Sequence, residues 1–150
     1  MEPAMAEPER LGVILLSGCF DRIHYGLAMA SAAAALGRPV TLFATVAATR
    51  AFVAQGPDGR PGWAGQPLSP DLAAPELADG GALDARNRAR GVAGFEELLQ
   101  ACAGLGAEFI VCEMGLRAQG LTAAELRADL PIQRAGLASL LARKGQIVVL

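Results

Sequence analysis

The sequence predicts an α/β domain of the three-layer α/β/α type, with a mostly parallel sheet of about five strands of the flavodoxin-like or DsrEFH-like kind. Three observations predict it. Short apolar runs rich in branched residues recur along the chain, among them "LGVILL", "VTLFATV", "EFIVC" and "QIVVL", each with the length and composition of a buried strand. Stretches with helical periodicity alternate with these runs. Glycine and proline punctuate the joins. At 150 residues the chain suits a single domain that buries about two thirds of its unfolded surface.

Taken in order, "LGVILLSG" reads as the first strand. Asp21 stands where a helix N-cap belongs, and the helix that follows runs to about Leu36, stopped by Gly37 with Pro39 just beyond. "VTLFATV" is the second strand, and "AATRAFVA" a short helix leaving it. From 55 to 90 the composition changes. Five of the nine prolines fall there among many glycines, which excludes a continuous helix or a central strand. Such an insertion reads as a lid, an interface arm or a partly disordered stretch. Trp63, the sole tryptophan, is its candidate anchor.

In "GVAGFEELLQACAGLG", Val92, Phe95, Leu98, Leu99, Cys102 and Leu105 recur at helical spacing on one face. "EFIVC" is a third strand. Thr122 and Glu125 form a capping box that predicts a new helix. "LASLLARKG" is the last helix and "QIVVL" the last strand. In such sheets functional groups collect at the carboxyl ends of the strands.

Composition narrows the function classes. Hydrophobic residues make up 53% but aromatics only 5%, so the apolar content is Ala, Leu and Val. That leaves more apolar surface than a small monomer easily hides, and self-association is expected. A formal charge of −2 gives no electrostatic footprint for nucleic acid. The acidic, proline-containing start "MEPAMAEPER" lacks the basic head and apolar core of a signal peptide. "YGLAMASAAAALG" is too short and alanine-rich to span a bilayer. Three cysteines cannot all pair within the chain, no C-x-x-C appears, and there is one histidine. Neither a metal site nor a cofactor is therefore expected. A cytoplasmic protein with free thiols is the simplest reading.

Two thiols fall at strand carboxyl ends: Cys112 closes "EFIVC" and Cys19 follows the first strand. A residue at such a tip leaves the core, and helix N-termini at that rim favour a thiolate. Arg117, in the following loop, would add to this effect. Glu113 would oppose it only if it shared a face with Cys112, and neighbours on a strand do not. Cys102, in a helical stripe, reads as a packing residue. His24 reads as an ordinary helix residue, and Gly18 and Asp21 as turn and cap. There is no G-x-G-x-x-G, no G-K-[ST] and no G-x-S-x-G, so dinucleotide, phosphate-loop and serine-hydrolase chemistries are disfavoured.

Two stretches resemble the DsrE/DsrF-like family. "GVILLSGCFDRIHYGLAMASAAAALGRPVTLFATVAATRAF" is similar to its opening, where a strand ending in Ser-Gly leads through an aspartate into an alanine-rich helix and then a second strand. "GAEFIVCEMGLRAQGLTAAEL" resembles its second signature, an apolar strand ending in Cys-x-Met followed by a glycine and a helix start. The resemblance implies a flavodoxin-type domain assembled into trimers or hexamers. It implies a cysteine, here Cys112 with Met114 beside it, that takes up sulfane sulfur as a persulfide and passes it to a partner thiol, often on a small TusA-like carrier. Many relatives have an acidic residue where Cys19 stands. The peroxiredoxin-like label also used for the family finds no Thr-x-x-Cys pattern here. Two alternatives to sulfur relay stay open: a non-catalytic oligomeric domain with a small-molecule pocket at the sheet rim, and a thiol–disulfide switch between Cys19 and Cys112.

Overall fold

A computed structural model describes residues 7–150; residues 1–6, which begin the stretch read above as lacking signal-peptide features, lie outside them. Five strands, β1 (Leu11–Leu15), β2 (Val40–Ala44), β3 (Glu108–Cys112), β4 (Ile132–Ala135) and β5 (Gln146–Val149), form one sheet in the order β4-β3-β2-β1-β5. Every pairing is parallel. The α/β/α architecture read from the sequence is the observed one. Its strand order differs from the flavodoxin order 2-1-3-4-5. Three successive crossovers step in one direction from β1, and the fourth returns across the sheet to set β5 on the far side of β1.

The two sheet faces are covered unequally. Leu11, Val13, Leu15, Leu42, Phe109 and Val111 point into the main core, beneath α1 (Phe20–Ala35) and α3 (Phe95–Gly104). α1 buries Phe20, Ile23, Leu27, Ala30 and Ala34, a stripe at helical spacing, and its alanines let it lie close to the sheet. It ends where Gly37 takes a φ of +84°, the left-handed turn that glycine adopts without a Cβ penalty. The opposite face carries Ile14, Phe43, Ile110, Cys112 and Ala135. Its cover in this cluster is Leu140 of α5 (Leu137–Leu141), a single short turn and a half. At the amino ends of the strands, Arg143 binds Glu108 through two nitrogens (2.8 and 2.9 Å), and the buried Thr41 hydroxyl donates to the same carboxylate at 2.9 Å. This network ties the end of α5 to β2 and β3.

Several expectations are corrected. Helix α1 begins one residue before Asp21, and its N-cap is Cys19. Asp21 instead accepts hydrogen bonds from the Ser69 amide (2.8 Å) and hydroxyl (2.6 Å), clamping the 55–90 segment to the helix. The capping box at Thr122 and Glu125 exists, but it opens only a 3-10 turn, Ala123–Glu125. Pro131 lies too near for a helix to extend, Leu126 bridges to Val53, and the chain enters β4, which the sequence reading did not assign. Val92 and Leu105 leave the helical stripe: Val92 precedes α3, Leu105 caps it, and both are exposed.

The 55–90 segment is packed rather than loose. It holds a 3-10 turn at Gly62–Gly65 and a ten-residue helix, α2 (Gly80–Ala89), and buries Trp63, Leu68, Leu77 and Leu83 in the main core. Trp63 stacks on Phe95 with ring centres 5.0 Å apart, and Phe20 lies 5.5 Å from Phe95 and 5.8 Å from Trp63. The indole N–H donates to Glu96 at 2.9 Å, and Arg127 grips the same carboxylate at 2.9 and 2.7 Å. Desolvation pushes the Glu96 carboxyl up, but the hydrogen bonds from Arg127 and Trp63 outweigh it and leave it below the ordinary glutamate range. A depressed carboxylate stabilises the fold above its unfolded pKa, and that contribution is lost as pH falls through the folded value. In an acid titration followed by Trp63 emission, the loss of this contact is therefore expected only below the ordinary glutamate range. A change centred at or above that range would show that Arg127 does not hold Glu96.

Candidate functional site

The carboxyl ends of β1, β2 and β3 converge on one rim. After β1 the chain turns through Ser17 and Gly18 into Cys19, whose amide donates to the Ser17 hydroxyl at 3.1 Å. After β2, Val46 adopts a φ of +40°, a left-handed conformation that a β-branched residue holds only at a cost of about 1–3 kcal/mol. Val46 opens the 3-10 helix Val46–Phe52. After β3, Cys112 is the N-cap of the six-residue α4 (Glu113–Ala118). Gly115 brings α4 against the strained corner. A Cβ there would lie 2.6 Å from the Val46 nitrogen and 3.0 Å from Thr45 Cα, so only glycine permits this approach.

The expected open thiol at Cys112 is not what the rim presents. Cys112 is 2% exposed and packs with Phe43, Ile110 and Leu140. Strand alternation explains this, since Cys112 shares its face with Ile110, and α5 crosses that face. Met114 next to it is 65% exposed. Arg117 lines a separate crevice of about 150 Å³ with Glu113 and Arg134, and Cys112 is not in its wall. Cys19 is half-exposed, while Cys102 is buried, donates to the Leu27 carbonyl at 3.6 Å, and has its thiol pushed up to about 11 by desolvation. His24 contacts the Ala93 carbonyl through Nε2 at 2.8 Å and faces Phe20, an ordinary packing role. All three cysteines are free. β2 separates β1 from β3, and the two thiols belong to different surroundings: Cys19 caps α1, whereas Cys112 packs with Phe43, Ile110 and Leu140.

What the rim does present is a cleft of about 560 Å³. It opens between the 3-10 helix after β2, the 55–67 loop and the turn at Leu121 and Glu125. Val53, Pro57, Pro67 and Leu121 give it apolar walls, and Arg50, Asp58, Gln66 and Glu125 its polar groups. Arg50 is fixed by the Gln119 side chain (2.7 Å) and carbonyl (3.0 Å). Gln66 is buried; with its amide turned to suit both neighbours it donates to the Gly18 carbonyl and accepts from the Ala51 amide at 3.1 Å. The β1 turn, the β2 exit and the 55–90 segment are thus locked together around the opening. The sequence reading missed Arg50 and Gln66, because neither sits in a motif and only the return of the proline-rich segment brings them together. Among the described residues, no cluster of His, Cys, Asp and Glu could hold a metal ion, and no helix is long and apolar enough to cross a membrane.

Neither the protein-family models nor the curated proteins contain a match to this chain. The fold and the rim define an α/β domain with a parallel sheet and a preformed cleft at the carboxyl ends of its strands.

Proposed function

We propose that the domain binds a small amphipathic molecule in the rim cleft, as a non-catalytic binding module. The observation that carries this reading is the coincidence of a 560 Å³ opening with the carboxyl ends of the strands, where parallel α/β sheets receive ligands. Its size falls in the range of small-molecule sites. The apolar walls suit a compact hydrocarbon or aromatic body, and the prepositioned Arg50, with Asp58 and Glu125 beside it in the lining, suits a polar head. Amide NMR spectra recorded with a panel of small amphipathic fragments test it. Shifts are expected to cluster on Arg50, Val53, Gln66 and Leu121, and to vanish in Leu121→Trp, which fills the cleft. Shifts that survive in that variant, or none at all, would sink the reading.

A second reading, sulfur relay, is favoured by the position of Cys112 at the tip of β3 beneath the thinnest layer of the molecule, with α4 and α5 of only six and five residues. In it the Cys112 thiolate attacks the outer sulfur of a donor persulfide, the donor thiolate leaves, and Cys112–S–SH forms; an acceptor thiolate then takes that outer sulfur and releases Cys112. The step requires α4 or α5 to lift, because the sulfur is covered at rest. This reading carries with it the homo-oligomer, trimer or hexamer, the TusA-type carrier and the cytoplasmic location that the family resemblance and composition imply. Incubation with a sulfane-sulfur donor is expected to add one sulfur mass to the Cys112 peptide, more slowly than iodoacetamide modifies Cys19. Equal loading of a Cys112→Ser variant would overturn it.

A further inference from the structure

We propose that two copies of this chain pair edge to edge through β5, antiparallel, with a two-fold axis at Val148, to form one continuous ten-stranded sheet. This inference is independent of either reading of the rim.

The two edges of the sheet differ. β4 is guarded by Pro131 just before it and Arg134 within it, both devices that discourage strand addition. β5 reads Gln146, Ile147, Val148, Val149, with no charge and no proline, and among the described residues no strand lies on its outer side. Its inner hydrogen bonds belong to alternate residues: the Gln146 amide donates to Arg10 and the Leu150 amide to Ile14, while the Leu150 carbonyl accepts from Leu16. By the alternation of a parallel ladder, Ile147 and Val149 therefore turn both their backbone groups outward.

That parity selects the partner and the register. In an antiparallel pair, residues with outward N–H and C=O groups exchange both bonds. Setting Ile147 of one copy opposite Val149 of the other uses every outward group of the strand, twice over by symmetry, and leaves Val148 facing its own copy across the axis. Registers centred on Ile147 or Val149 engage fewer of these groups. The pairing also matches side chains, because Ile147 and Val149 share the sheet face with Ile14 and Phe43, and they meet their opposite numbers as apolar cross-strand pairs.

Apolar side chains stand exposed beside this edge. Ile147 (39% exposed) and Val149 (55%) on the strand itself, together with Leu16, Leu137 and Leu141, are large apolar side chains left in water, as expected of a surface that receives a partner.

Light scattering on the purified full chain tests the proposal. The expected mass is twice 15.4 kDa, falling to the monomer value in Val149→Lys with an unchanged circular dichroism spectrum. In a Cys19→Ser background, Val148→Cys is expected to cross-link two copies when oxidised glutathione is added, since non-hydrogen-bonded antiparallel partners lie about 4.5 Å apart at Cα. Val149→Cys, offset from itself by two positions, is expected not to cross-link. A monomer, a trimer or hexamer indifferent to Val149→Lys, or equal cross-linking of the two cysteine variants would each overturn it.

Discussion

Phe95→Ala is expected to cost about 3–5 kcal/mol of stability. Phe95 is fully buried, stacks on Trp63 and packs against Phe20. It is therefore the point where α1, α3 and the 55–90 segment meet. Truncation leaves a cavity lined by two rings whose backbones belong to different elements, so the site cannot collapse to fill it. Against a total stability of about 5–15 kcal/mol this is a large fraction. The melting temperature of a domain this size is expected to fall by roughly 10–15 °C. Urea unfolding followed by Trp63 emission measures it. Phe95→Leu, which keeps most of the volume, is expected to lose less than half as much. A loss below about 1 kcal/mol for the alanine variant would mean that the aromatic cluster does not anchor the insertion.

Asp84→Ala is expected to cost about 2–3 kcal/mol. Asp84 is a buried carboxylate on α2 that accepts from the Phe95 amide at 2.7 Å and from Arg88 Nε at 3.0 Å. It satisfies a donor in the first turn of α3, whose own N-cap, Gly94, has no side chain to do so. Alanine strands that amide in the core. Asp84→Asn retains an acceptor for the amide and is expected to recover about half of the loss. Thermal unfolding gives the magnitude, and faster hydrogen exchange at the Phe95 amide identifies the cause. Equal stability of the alanine variant and the parent chain would show that water or another group satisfies the amide.

Both predictions concern the segment that the sequence left least defined. Its prolines and glycines exclude regular structure locally, and that reading holds for most of 55–79. What local composition does not register is that Trp63, Leu68, Leu77 and Leu83 all face one way once Asp21 holds Ser69 and Asp84 holds Phe95. The pairs Asp21–Ser69 and Asp84–Phe95 are 48 and 11 residues apart in the chain, and neither has a periodic signal. β4 was missed for a related reason. Its residues alternate only weakly, Ile132 and Ala135 flanking Gln133 and Arg134, because it is an edge strand with a guarded outer side. The capping box at Thr122 was legible, yet a cap can start a helix and cannot extend one through Pro131.

The candidate site divides along the same line. Placing Cys19 and Cys112 at strand carboxyl ends needed only strand length and order, and both lie there. Their accessibility depended on what crosses the sheet, and Leu140 of α5 covers Cys112 while Cys19 stays half-exposed.

By itself the sequence determined the class, four of the five strands and the helices α1 and α3, since strand and helix periods, glycine stops and apolar runs act over a few residues and were readable in place. Only the tertiary structure decided the strand order, the cleft around Arg50 and Gln66, the burial of Cys112 and the bare edge at β5. Each of these arises where segments far apart in the chain meet, and the free energy that brings them together is shared across the whole core rather than carried by any local motif.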